Sequence, residues 1–332
     1  MDFLTTNDIL ILSIGTLILG MVILVKGGDW TIDGAVEIAR HYGMPPLLVG
    51  FTIVAFGTSL PELIASINAN LKGTPGLAVG NVIGSNVANI LLIGGVSAMI
   101  TPLVANMRAV RNDLIMMLVA SIVWIYALQS MSITMAVGAS ALGVLIAYVI
   151  IQYNLAKRGV IPTEPVLEAE EKAEKIAPNS HKKAIILVIG GLVGLAVGAE
   201  LLIRGSTTAA RILNVPDSII GLTIIALGTS LPELTTCAIA AMKKQTDVII
   251  GNIVGSNVFN LMMILGSMGM IKAYNVGQSE QSMLHQDGTI MIAVTILFTV
   301  ILALFKKIPR IIGLAFAVGY FAYMILLAYQ SL

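Results

Sequence analysis

The chain has 332 residues, 57% of them hydrophobic and 11% charged, with a formal net charge of +1. Soluble domains carry about 25% charged residues, so little of this chain lies outside lipid, and no basic stripe exists to neutralise the phosphates of a nucleic-acid partner. The single cysteine, Cys237, excludes an intrachain disulfide and a zinc site built on several thiolates; in its apolar run it is expected to fill space.

Residues 1–8 carry no basic region, and no small-residue cleavage site follows them. The first apolar run is therefore expected to be a retained span, not a signal peptide. Apolar runs of bilayer length, about 20 residues each, fall near 8–26, 46–71, 77–101, 112–129, 133–154, 184–204, 218–242, 248–271, 288–305 and 309–329. The chain thus reads as an all-α polytopic membrane protein with ten transmembrane helices. The polar interval 156–183, rich in Lys and Glu with Pro162, Pro165 and Pro178, is expected to be a partly disordered linker.

The sequence repeats. Adding 171 to a residue number in the first half gives its counterpart in the second, without a gap: Gly27 and Gly198, Arg40 and Arg211, Pro45 and Pro216. Gly57-Thr58-Ser59-Leu60-Pro61-Glu62 returns as Gly228-Thr229-Ser230-Leu231-Pro232-Glu233, and the run from Gly80 to Asn86 returns from Gly251 to Asn257. Each half carries five spans, an odd number, so the second must be inserted the other way up. Two inverted-topology five-helix repeats are expected, 1–155 and 184–332, joined by 156–183. Secondary transporters use this plan, with substrate bound near the midplane between the repeats.

The basic residues orient it. Lys72, Arg204, Arg211 and Lys272 fall on the side of the termini, and every other Lys and Arg falls on the opposite side. That opposite side is cytoplasmic by the positive-inside rule. Both termini are then expected outside and the linker inside.

Glu62 and Glu233 are acids inside hydrocarbon, where an ionisable group is costly and seldom without a use. Thr58, Ser59 and Glu62 share one helix face at spacings of three and four. Pro61 removes a backbone donor, so the carbonyl of Gly57 loses its partner and the helix is expected to break at membrane depth. Carboxylates, hydroxyls and freed carbonyls suit a hard cation. The next span in each half adds Asn81, Ser85 and Asn89, or Asn252, Ser256 and Asn260, on one face. Two close carboxylates in a low dielectric do not both ionise cheaply, so the pair must always hold something positive. That makes an empty carrier costly to cross and exchange the natural cycle. An irregular oxygen cage favours calcium over magnesium, which keeps its waters.

Blander readings sit beside these. The Gly80/Gly84 and Gly251/Gly255 pairs fit helix packing through small residues, Asn86 and Asn257 fit inter-helix hydrogen bonds, and Asp29 and Glu200 fit the interface. The 17 methionines fit gap filling. His41, His181 and His285 lie outside or at the ends of spans, so no histidine serves as a metal ligand or hydrolytic base in the bilayer.

The doubled Gly-Thr-Ser-Leu-Pro-Glu and Gly-Asn-Xaa-Xaa-Gly-Ser-Asn segments resemble the alpha repeats of the calcium/cation antiporter superfamily, and within it the prokaryotic sodium/calcium exchangers. The resemblance implies that Glu62 and Glu233 bind calcium, assisted by Thr58 and Thr229. It further implies that Ser59, Ser230, Ser85, Ser256 and the carbonyls of Ala55 and Ala226 line flanking sodium sites, with Asn89 and Asn260 at the middle. Some relatives carry an aspartate at the position of Asn260, and in potassium-dependent members a carboxylate there is linked to potassium. The amide here argues against potassium dependence. The resemblance also implies that the first spans of the two halves slide against a fixed core. The expected protein is not an enzyme: it is a Na+/Ca2+ antiporter of the plasma membrane with no cofactor beyond its transported ions, functional as a monomer in the lipid bilayer. A Ca2+/H+ antiporter is the first alternative. A cation channel follows, then an intramembrane hydrolase, for which no nucleophile and base are in place.

Overall fold

In lipid, each backbone polar group must be satisfied within its own segment, so the apolar runs become helices. The computed structural model describes residues 6–130, 132–159, 181–213, 228–276 and 278–330. Helix α1 runs Thr6–Tyr42, and α7 runs His181–Ile212. At 1.5 Å per residue they are about 55 and 48 Å long, more than the ~30 Å of hydrocarbon, so they cross at a tilt. Both exceed the spans expected at 8–26 and 184–204. Polar residues such as Asp29, Asp33, Glu37 and Arg204 ended the apolar runs without ending the helices.

α1 and α7 lie antiparallel along their lengths. Their seam sets Gly20 against Gly198, Gly27 against Gly191, Gly34 against Ala184 and Gly205 against Ser13, backbone on backbone. A small residue at every seventh position keeps such a seam on one side of a slightly supercoiled pair. Exchanging the halves turns the Gly20–Gly198 contact into Gly191–Gly27, which is also present. The contact pattern is that of an internal twofold.

The second span is broken. α2 (Pro46–Thr58) and α3 (Leu60–Leu71) meet at 44°, with Ser59 between them at φ −83, ψ 3. Pro61 lacks the N–H that would have continued the ladder. In the second half, α8 (Leu231–Met242) starts after Ser230, at φ −89, ψ 6. The other part of that span, 218–227, lies outside the described residues. α4 (Pro75–Ile100) and α9 (Thr246–Ile271) follow the broken helices. Each contains a π turn, Asn89–Ile93 and Asn260–Ile264. α5 (Met107–Ser130), α6 (Met135–Lys157), α10 (Gln278–Phe305) and α11 (Arg310–Gln330) complete the bundle. Among the described residues, eight helices are long and apolar enough to cross a membrane, and the bent α2–α3 pair makes a ninth. α8 is the described part of the tenth. Of the linker, 160–180 lies outside the described residues.

Helix α9 is buried throughout its most apolar window, whereas α1 and α7 are mostly exposed. The centre is therefore α3, α4, α8 and α9, with α5, α6, α10 and α11 around it and the α1–α7 pair to one side. Loop ends are tied symmetrically. β1 (Leu103–Val104) pairs with β2 (Lys307–Ile308), Leu103 opposite Ile308, and on the other face Ile133 bridges Tyr274.

The offset of 171 is not free of gaps. It holds through α4 and α9. Beyond them, Asn257 reaches the Met117 sulfur where Asn86 reaches that of Met291, each at 3.5 Å. Those methionines are 174 apart, because Met291 stands three positions farther beyond the end of α9 (Ile271) than Met117 stands beyond the end of α4 (Ile100).

Candidate cation site

Glu62 and Glu233 occupy the first turns of α3 and α8, immediately after the two breaks. A helix start carries free N–H groups and the positive end of the dipole, which favours a carboxylate there. Both acids are almost fully buried, at 1% and 2% exposure, and neither has a basic partner among the described residues. They lie within each other's electrostatic field. The Ser59 hydroxyl, at the break of the first half, donates to Glu233 Oε1 at 3.4 Å. The two motifs therefore meet directly.

The amide helices close around them. α3 packs on the π turn that begins at Asn260, and α8 packs on the one that begins at Asn89. A π turn rotates the following face and is common at functional sites. Asn89 donates to Asn257 Oδ1 and Asn260 donates to Asn86 Oδ1, both at 3.0 Å. These are twofold mates, and they are the inter-helix bonds expected of Asn86 and Asn257. Thr58 donates weakly to the Ala55 carbonyl at 3.4 Å and to Asn252 Oδ1 at 3.5 Å. Ser256 donates to the same Asn252 oxygen at 3.3 Å. Cys237 does more than fill space, since it accepts from Asn252 Nδ2 at 3.1 Å.

Several buried oxygens are left over. Among the described residues, Glu62 Oε2, Glu233 Oε2, Thr229 Oγ1 and Asn260 Oδ1 have no hydrogen-bond partner. A buried acceptor without a donor costs roughly 1–3 kcal/mol, so this collection needs something positive. Of the residues singled out in the sequence, Ala55, Thr58, Ser59, Glu62, Ser85, Asn89, Ser230, Glu233, Ser256 and Asn260 are buried here. Thr229 is half-buried, and Ala226 lies outside the described residues.

A cavity of about 600 Å³ leads to this place. It passes between α3, α4, α10 and α11 and reaches Ser85, Thr229 and Ser230. It opens on the face that holds the α3–α4 turn and the start of α10. On the opposite face, Leu47, Phe51 and Ala55 of α2 press against Gly251 and Gly255 of α9. Among the described residues, α2 thus occupies the place that corresponds to the cavity.

Sequence reasoning missed two features. Lys243, at the end of α8, pairs with Asp29 at 3.0 Å and Asp33 at 2.7 Å on α1. Their counterparts Glu200 and Arg204 pair with each other within α7. Asp113 and Asp287 are also buried. Both stand near span ends, where an acid reads as interfacial, and their kinship appears only once a gap is allowed in the repeat.

The sequence model of the family described as "Sodium/calcium exchanger protein" matches residues 12–154 and 183–329. The inner membrane protein YrbG of Escherichia coli is 30% identical, over 97% of this chain and 98% of its own length. The sodium/calcium exchanger MaX1 of Methanosarcina acetivorans is 28% identical, over 94% of this chain and 97% of its own. The solved structure of a sodium/calcium exchanger from Methanococcus jannaschii superposes with a TM-score of 0.79 at 28% identity, covering 95% of this chain and 98% of that one.

Proposed function

The chain belongs to the sodium/calcium exchanger protein family, is a multi-pass membrane cation antiporter and not an enzyme, and on that premise we propose that it exchanges Na+ for Ca2+ at a midplane site built on Glu62 and Glu233. The observation that carries this reading is the meeting of two buried, inversely inserted acids with unpartnered oxygens around them. Calcium accepts six to eight oxygens in flexible geometry, and the carboxylates, Thr58 and Thr229 supply them. Ser59, Ser85, Ser230, Ser256 and the carbonyls of Ala55 and Ala226 serve Na+ beside it, with Asn89 and Asn260 holding the centre.

The packing supports alternating access. The backbone seam of α1 and α7 binds those helices to each other more closely than to the core. The pair sits off the twofold: Leu192 of α7 covers Gly57, and Ile203 of α7 covers Gly228. Strict symmetry would put Met21 of α1 over Gly228. Sliding of the pair exchanges these contacts and moves the opening from one face to the other. By the distribution of basic residues, the open face is extracellular, both termini are extracellular, and 156–183 is cytoplasmic in the plasma membrane. One chain contains both halves of the site, so a monomer suffices.

The test is radioactive Ca2+ uptake into reconstituted vesicles under an outward Na+ gradient. Uptake that needs Na+ and is abolished in Glu62→Gln and in Glu233→Gln is expected. Uptake driven by a pH gradient and indifferent to Na+ would replace this reading with a Ca2+/H+ antiporter. Normal transport by either variant would remove the two-glutamate site.

A further inference from the structure

Apart from the two glutamates, the buried acids among the described residues are Glu37, which pairs with Arg40, and two others, Asp113 on α5 and Asp287 on α10. They are twofold mates at the offset of 174 that also relates Met117 to Met291. Each is held by tyrosine. The Tyr148 hydroxyl donates to Asp113 Oδ1 at 2.5 Å, joined by Gln152, and the Tyr323 hydroxyl bonds Asp287. Neither acid has a basic partner among the described residues.

Their surroundings differ in one respect. Asp287, with Tyr320 and Tyr323, forms a wall of the cavity that ends at Ser85, Thr229 and Ser230, and it is the one charged side chain among the described lining residues. Asp113 stands behind the closed face. The Phe51 ring lies 5.8 Å from that of Tyr148, and the Phe51 backbone presses on Gly251 and Gly255. A carboxylate in a low-dielectric cleft concentrates cations there and speeds their arrival by about 10-fold or more. Its oxygens, with a phenol beside them, replace part of a hydration shell.

We infer that Asp287 is a vestibule site for a partly hydrated cation on the open face, and that Asp113 is the corresponding site on the closed face. Each acts only while its own face is open. The inference rests on the exchange reading above, and its test has two arms. In oriented vesicles, Asp287→Asn is expected to raise the half-saturating Ca2+ concentration on the cavity face on the order of 10-fold, with no change on the other face. Asp113→Asn is expected to do the reverse, and Asp287→Glu to restore the cavity-face value. Equal effects on both faces, or none, in a protein whose parent exchanges Na+ for Ca2+ would overturn the inference. The second arm needs no transport. In Glu62→Gln/Glu233→Gln protein, Tb3+ should show tyrosine-sensitised emission that Ca2+ displaces and Asp287→Asn removes. Emission that is absent, or untouched by that change, overturns it; a parent without Na+-driven flux overturns the exchange reading alone.

Discussion

On the exchange reading, Asn260 is the residue whose chemistry bears on ion preference. Its nitrogen is committed to Asn86 and its oxygen has no donor among the described residues, so the oxygen is available to a cation and the amide adds no charge. Asn260→Asp places a third carboxylate beside Glu62 and Glu233 and sets an acceptor against Asn86 Oδ1. The expected outcome is altered cation competition and an altered pH profile of uptake, measured with Na+, K+ and Ca2+ against the parent. Identical profiles would show that the amide stands apart from the ions. The position was legible in the sequence because Asn81, Ser85 and Asn89 share a face that repeats. The π turns that begin at Asn89 and Asn260 were not, because a single wide turn leaves no mark in hydropathy.

Among the elements, the α1–α7 pair carries two distinct expectations. The first concerns its seam. A Cβ added at Gly27 would meet the Leu195 nitrogen at 2.7 Å and the Gly191 oxygen at 2.8 Å, whereas one at Gly190 finds only Trp30 at 3.9 Å. Overpacking of a tight contact costs about 1–3 kcal/mol. Gly27→Leu should therefore lower the thermal unfolding temperature in detergent, and Gly190→Ala should leave it nearly unchanged. The second concerns Lys243, which ties α1 to the end of α8 on the closed face through Asp29 and Asp33. The counterpart contact would join Lys72 to Glu200, which here bonds Arg204. Half-exposed pairs contribute about 0.2–1 kcal/mol each. Lys243→Gln should deplete the observed state. Reaction of an impermeant maleimide with Ala65→Cys in the cavity wall should then slow roughly two- to fivefold. An unchanged rate would mean the pairs hold nothing in place.

For the whole molecule, the twofold is kept at the centre and broken at the periphery. The amide bridges, the loop-end strands and the helix breaks obey it. The cavity, the α1–α7 pair and the Lys243 contacts do not. An accessibility assay on intact cells should label tags at both ends from outside, and a tag within 156–183 only after permeabilisation. The opposite pattern would reverse the assigned orientation. Ten spans, their inversion and the approach of the two doubled motifs were legible because doubled motifs and charge asymmetry are properties of composition and spacing. The full lengths of α1 and α7, and the Asp113–Tyr148 and Asp287–Tyr323 pairs, were not. They depend on polar residues whose burial is decided by neighbouring helices. One further consequence lies in the seam's register. Its partners satisfy the same rule when α1 is laid against an upside-down copy of itself, Gly20 then facing Gly27 and Ser13 facing Gly34. A half-length polypeptide inserted in both senses thus already owns the joint needed to pair with its twin, and the fused chain makes permanent a dimer that one such half is shaped to form.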